Sequence, residues 1–273
     1  MRRIVVHIGL ERTGSSAIQR FMAMNRVALR VMGVRYPRQL HPGETGRDKH
    51  HDLAAALLGG ASGAAQPDPD AAAEVFEHYL AQAGRQRLTV LSDERLGAPA
   101  PHVATRLAPH IGDRDTRIVV YLRRQDEWAL SAYRAVITDP RKTEARPLAD
   151  WLADPATRAR MDYAAVLAPW EDAFGSGALR VMRYPHDIPL IAGFLRAIEA
   201  PPAAMMLPGR DLRVNEGLAD NALLAALEGR GLPAELPDLD QPARDRLIDS
   251  FADSNEKVRS RYFPQHRTLF GLD

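Results

Sequence analysis

The run from Ile4 to Phe21, I-V-V-H-I-G-L-E-R-T-G-S-S-A-I-Q-R-F, limits what this chain can fold into more than any other stretch. Ile4, Val5, Val6 and Ile8 form a β-branched run interrupted only by His7, the pattern of a strand covered on both faces. From Gly14 the spacing becomes helical, with Ile18 and Phe21 on one face and Arg20 pointing elsewhere. Between the two lies a turn rich in Gly and hydroxyl residues. Backbone N–H groups in such a turn, together with a helix N-terminus, attract phosphate or sulfate. The chain therefore opens on an oxyanion cradle.

Three later stretches also read as strands, at 88–92, 117–122 and 178–185, and a short extended piece is expected at 34–37. The first two of these end in polar turns, Asp93-Glu94-Arg95 and Arg123-Arg124-Gln125-Asp126. Helical spacing is found at 14–30, 53–58, 71–83, 127–136, 163–174, 191–198, 218–227 and 244–259. Residues 38–52 read as a surface loop, 59–70 as a flexible Gly, Ala and Pro linker inside the domain, and 232–242 as a Pro and Asp rich connection. An aromatic tail at 261–270 is expected to pack back on the domain. Strands alternating with helices imply right-handed crossovers and a mostly parallel sheet. The expected fold is α/β, three-layer α/β/α and P-loop-like. It forms a single domain over 1–273 whose part from about 191 is mainly helical. In such sheets the ligand lies beyond the carboxyl ends of the strands, where the polar turns sit.

Composition narrows the partners. Lys plus Arg number 36 against 35 Asp plus Glu, a formal charge of +1, so no bulk basicity argues for nucleic acid or an anionic membrane. The chain has no Cys, which removes disulfides, thiolate metal sites and a Cys nucleophile. No stretch has the length of a membrane span, and a cytoplasmic protein is expected.

The cradle invites comparison with the nucleotide P-loop, G-x-x-x-x-G-K-[ST]. Gly9 and Gly14 have that spacing and Ser16 fills the hydroxyl position, but Ser15 stands where the Lys belongs. The cation has moved to Arg12. Loss of the Lys argues against ATP or GTP hydrolysis, and a P-loop-type kinase is kept as an alternative. Arg12 can fork two hydrogen bonds onto the region between a phosphate and the group beyond it. Thr13, Gly14, Ser15 and Ser16 would hold the phosphate itself.

The motif H-I-G-L-E-R-T-G-S-S-A-I-Q resembles the 5′-phosphosulfate loop of the sulfotransferases that use 3′-phosphoadenosine 5′-phosphosulfate (PAPS), and the chain is identified on it as a suspected bacterial member. The resemblance implies a second motif for the 3′-phosphate: an Arg at a strand end and a Ser eight residues later on the next helix. Arg123 and Ser131 supply it. Arg124-Gln125 replaces the Asn-Pro often found there, and the spacing favours Arg123 over Arg124. A strand-end guanidinium and an early helix hydroxyl can converge on one dianion near the helix N-terminus.

Sulfuryl transfer needs a cation at the transferring group and a base for the acceptor. Arg12 is the cation. Glu94, at the end of the second strand, ranks first as base, and His51 in Lys49-His50-His51-Asp52 is the other candidate, with an intrinsic pKa near neutrality. His-His-Asp could also suggest a metal site, but no third group has suitable spacing and no metal is expected. The resemblance implies that Tyr184 packs against adenine, with a core Tyr the competing reading. It also places Arg213, in Arg213-Val214-Asn215-Glu216-Gly217, at a last nucleotide-contacting loop. Trp128, Trp151 and Trp170 are expected as core or interface anchors. The expected activity is transfer from PAPS to an acceptor hydroxyl or amine, such as that of a carbohydrate or another hydroxyl compound. A non-catalytic nucleotide-binding descendant is the remaining alternative.

Overall fold

The computed structural model describes residues 2–40, 48–59, 69–184, 189–212 and 220–271. Along the chain these form β1 (Arg3–His7), α1 (Ser15–Met24), α2 (Arg26–Val31), β2 (Val34–Arg35), α3 (His51–Leu58), α4 (Pro69–Ala83) and β3 (Leu88–Ser92). There follow α5 (His102–Ile111), β4 (Asp115–Arg123), α6 (Gln125–Thr138), α7 (Leu148–Ala153), α8 (Pro155–Ala159), α9 (Tyr163–Phe174) and β5 (Leu179–Tyr184). The last elements are α10 (Leu190–Ala197), α11 (Asp220–Glu228), α12 (Gln241–Asp249) and α13 (Ala252–Tyr262). Two compact units result, 1–122 with 166–213 and 123–165 with 214–273.

The first unit holds a parallel five-stranded sheet in the order β2-β3-β1-β4-β5, flanked by helices, as the alternating pattern predicts. The chain leaves β1, builds β2 and β3 on one side, then crosses to β4 on the other. The topological switch therefore falls at the carboxyl end of β1, where a ligand is expected. Register places His7 opposite Ser92 of β3 and Val119 of β4. Both faces are buried: Val5, Val90, Val119 and Tyr121 pack with Ile18, Phe21, Leu29, Phe194 and Leu195 of α1, α2 and α10. Residues of the opposite parity, Ile4, Val6, Leu91, Ile118 and Val120, are equally buried, and α3, α4 and α5 pack on one another as the second helical layer.

The helix expected at 14–30 is broken at Asn25. Its side chain donates to Phe21 O at 2.9 Å and to Pro208 O at 3.0 Å, so the residue closes α1 before α2 begins. The extended piece at 34–37 contributes the two-residue edge strand β2. The expected loop 38–52 ends two residues early, because His51 opens α3. Residues 60–68 of the expected linker lie outside the described residues.

The second unit is helical. Trp128, Tyr133 and Ile137 of α6 pack with Trp151, Met161, Leu223, Leu227, Leu247 and Phe251, and the Trp128 and Trp151 rings stack with centroids 6.1 Å apart. Trp170 is buried too, so all three tryptophans are core residues. The helix expected at 244–259 is divided into α12 and α13, with Ser250 N–H and Phe251 N–H bonded back to Arg246 and Ile248. The aromatic tail packs within its unit: Leu269 is buried, and Phe270 meets Tyr163 edge to face at 6.1 Å. Among the described residues, no helix is long and apolar enough to cross a membrane.

Candidate functional site

The cradle is built by backbone conformation. Arg12 has φ 66 and Gly14 φ 85, two left-handed residues in one turn. Gly14 needs to be glycine twice over: the φ disfavours a side chain, and a Cβ would strike Leu190 and stand 3.2 Å from Tyr184 Cε2. At Arg12 the same conformation strains an ordinary residue, and such strain concentrates at functional positions. Thr13 Oγ1 donates to Leu10 O at 2.6 Å and Ser15 Oγ donates to the same carbonyl at 3.2 Å. These two buried hydroxyls thus hold the turn from inside, whereas Ser16 is half-buried at its rim. Ala17 N–H and Ile18 N–H both bond to Gly14 O. The N–H groups ahead of them occupy the first turn, where an α-helix offers no internal acceptor.

Gly9 is required by close approach. A Cβ there would strike Ser15 Oγ and lie 2.9 Å from His7 Cε1 and 3.0 Å from His7 Nε2. His7 is fully buried, and burial lowers its pKa to about 3, so the ring is neutral at pH 7. Its Nδ1 lies 2.8 Å from Ser92 Oγ, while its Nε2 has no hydrogen-bond partner among the described residues.

A chain of hydrogen bonds leads from this histidine to the end of β3. Gln19 Nε2, on α1, donates to Ser92 Oγ at 3.2 Å and to Glu94 Oε2 at 3.0 Å. Lys49 Nζ donates to the other oxygen of Glu94. Glu94 is therefore set beside the helix that begins at the cradle, in the 3-10 turn Glu94–Gly97, with each oxygen engaged. Asp93, fully buried, caps that turn by accepting from Arg95 N at 2.8 Å. Its other oxygen faces His51 Nδ1 at 3.4 Å. Burial alone would raise the Asp93 pKa, but His51, the Lys49 and Arg95 charges and the Arg95 N–H together hold it below the usual value. Arg95 in turn donates to His51 O at 2.5 Å.

His50 spends both ring nitrogens on the backbone: Nδ1 accepts from Ser92 N at 2.9 Å, and Nε2 donates to Pro37 O at 3.1 Å. It is a structural residue that fastens 48–51 to β3, and burial lowers its pKa to about 4.

Within the second unit, Arg123 ends β4 and its Nε stands 3.4 Å from Glu127 Oε2. Glu127 and Ser131 are one turn apart on α6, so the guanidinium, the carboxylate and the hydroxyl share one side of that helix. Arg124 is committed elsewhere: its Nε and NH2 bond the two oxygens of buried Asp126 at 2.7 and 2.9 Å, and Arg244 reaches the same carboxylate at 3.0 Å. Tyr163 donates its hydroxyl to Arg123 O and fixes the strand end.

Arg12, Thr13, Gly14, Ser15, Ser16, Tyr184, His51 and Glu94 all belong to the first unit, and Arg123 with Ser131 to the second. Tyr184 ends β5 half-buried against the cradle glycine. Arg213 lies outside the described residues. Sequence reasoning missed Gln19, Lys49 and Asp93 as parts of the site. Asp93 and Lys49 adjoin candidate residues, but Gln19 meets Glu94 across 75 positions, a pairing that helical periodicity does not reveal.

No family model matches the chain, and no curated protein matches it. Among solved structures, the crystal structure of a sulfotransferase from Alicyclobacillus acidocaldarius aligns over 96% of this chain and 96% of its own, with a TM-score of 0.54 at 17% sequence identity. The chain has a sulfotransferase-like fold.

Proposed function

We propose that this chain is a PAPS-dependent sulfotransferase that transfers the sulfuryl group to an acceptor hydroxyl or amine, carbohydrate hydroxyls included. The observation that carries this reading is the cradle itself: a strained, left-handed Arg12 in the strand-to-helix turn at the switch point of a parallel sheet. A cation displaced from the P-loop Lys position suits a phosphate–sulfate linkage better than a magnesium-bound triphosphate.

Sulfuryl transfer, like phosphoryl transfer, depends on positioning and electrostatics, since its loose transition state puts negative charge on peripheral oxygens. Arg12 would stabilise charge at the bridging oxygen as the sulfur–oxygen bond breaks. The first-turn N–H groups and Ser16 would hold the 5′-phosphate, with Thr13 and Ser15 keeping the turn in shape. Arg123 and Ser131 would take the 3′-phosphate, and Tyr184 would lie against the adenine. Arg213 would add a further contact to the nucleotide. Glu94 and His51 are the groups able to take the acceptor's proton. No step calls for a metal.

The test is turnover of PAPS with a panel of sugar, phenol and amine acceptors, read as 3′,5′-ADP release. Acceptor-dependent release that falls at least about 100-fold in Arg12→Ala supports the reading. Consumption of ATP with Mg²⁺ and no turnover of PAPS would replace it with the kinase reading.

A further inference from the structure

Asp93 Oδ2 and His51 Nδ1 are both buried, neither has a hydrogen-bond partner among the described residues, and they face each other at 3.4 Å. A buried carboxylate oxygen left unpaired is costly, and so is a buried ring nitrogen. Each can relieve the other if Nδ1 carries the proton and the contact shortens by a few tenths of an ångström. The other Asp93 oxygen is held by Arg95 N at 2.8 Å, so the carboxylate cannot turn away. The His51 backbone is held by Arg95 NH2 at 2.5 Å from its carbonyl. The ring itself is 34% exposed. With Nδ1 turned inward as a donor, Nε2 of the partly exposed ring keeps its lone pair.

Glu94 is in a different condition. One oxygen accepts from Gln19 at 3.0 Å and the other from Lys49, so a proton placed on it would have to weaken a charge-assisted bond. Resting on the sulfotransferase reading, we infer that His51 is the proton acceptor and Asp93 its positioning residue, while Glu94 serves to hold Lys49. In the transfer step His51 Nε2 takes the acceptor hydroxyl proton, and the freed oxygen electron pair forms the new bond to sulfur. The bond from sulfur to the 5′-phosphate oxygen breaks, and its electron pair leaves on that phosphate. No oxidant or further reactant is needed.

Among the described residues, the charged and titratable groups around His51 are Asp93 and Arg95 from the turn after β3, Glu94 beside them, and Lys49 and Asp52 from its own segment. Tyr79 of α4 bonds Asp52, and Arg106 of α5 reaches Leu57 O at the far end of α3. Asp93 is the carboxylate that faces the ring nitrogen.

Two-dimensional NMR of the full chain labelled with ¹⁵N-histidine reads the tautomer without any ligand. At pH 8 His51 is expected as the Nδ1–H form, and Asp93→Ala is expected to erase that tautomer preference. A bare Nδ1 in the wild-type ring overturns the inference, and that readout needs no variant to fold. In PAPS turnover His51→Gln should lose about 100-fold in kcat and Glu94→Gln less than about 10-fold, whereas the reverse order overturns it. If 3′,5′-ADP fails to bind the wild type, the sulfotransferase reading fails, and the tautomer still decides whether Asp93 orients the ring.

Discussion

Gln19, one turn into the helix that begins at the cradle, donates to Glu94 Oε2 at 3.0 Å while the same amide nitrogen meets Ser92 Oγ at 3.2 Å. This single amide ties the cradle helix to the end of β3. Gln19→Leu leaves a buried hydroxyl and a carboxylate short of a donor and should lower unfolding free energy by about 1–2 kcal/mol in urea titration. Gln19→Glu should be worse at pH 7, because it sets a second carboxylate against Glu94, and should recover partly as pH falls below 5. Equal loss in both variants at pH 7 would deny that Glu94 is the partner that matters.

Arg12 is held at φ 66. Arg12→Gly removes that strain but gives the unfolded chain more freedom, two effects of about 1 kcal/mol and opposite sign. Stabilisation by PAPS should be largely lost. Paired thermal melts with and without PAPS check this. A marked fall in ligand-free stability would mean that Arg12 supports the fold rather than the ligand.

Glu127 now stands where an anion would compete for Arg123, at 3.4 Å. Removing its charge in Glu127→Gln should tighten 3′,5′-ADP binding about 3-fold, a half-exposed ion pair being worth under about 1 kcal/mol. Arg124→Ala should act differently. It strips a bidentate partner from fully buried Asp126 and should cost about 1–3 kcal/mol of stability. Calorimetric titration with 3′,5′-ADP and urea unfolding separate the two effects.

His7 and His50 are buried and neutral, with pKa values lowered to about 3 and about 4. The unfolded chain protonates both near pH 6.5, so between that pH and about 4 it binds more protons than the folded chain. Stability contributed by the neutral rings is complete above pH 6.5 and is lost as pH falls towards those lowered values. Each ring steepens the fall by up to about 1.4 kcal/mol per pH unit. Asp93, whose pKa is also held low, adds a loss of the same sign once pH drops below the ordinary carboxylate range. Melting curves from pH 8 to 4 should show this decline, and His50→Gln should flatten it. A curve that is level to pH 4 contradicts the account.

The sheet was legible because Ile4, Val5 and Val6, Thr89 to Leu91 and Ile118 to Leu122 are apolar or β-branched runs with polar turns behind them, and burial on both faces demands such runs. The α9 helix was readable at 163–174 because Val166, Leu167, Trp170 and Phe174 recur at helical spacing. The break at Asn25 was hidden because the acceptor that stabilises it, Pro208 O, is far away in sequence. Helix α5 was missed although Val103, Ala104, Leu107 and Ile111 recur at helical spacing, because Pro101 and Pro109 bracket most of it. In the site, the cradle was visible as consecutive letters. The set of Gln19, Ser92, Lys49 and Glu94 was not, since three separate elements meet there only after the sheet has formed its register.

Thermal stabilisation by 3′,5′-ADP compared with 5′-AMP at equal concentration tests the central claim most directly, because the two nucleotides differ only at the 3′-phosphate. The account predicts a clearly larger rise in Tm with 3′,5′-ADP, and loss of the difference in Arg123→Ala and in Ser131→Ala. Equal rises with both nucleotides in the wild-type protein would contradict it.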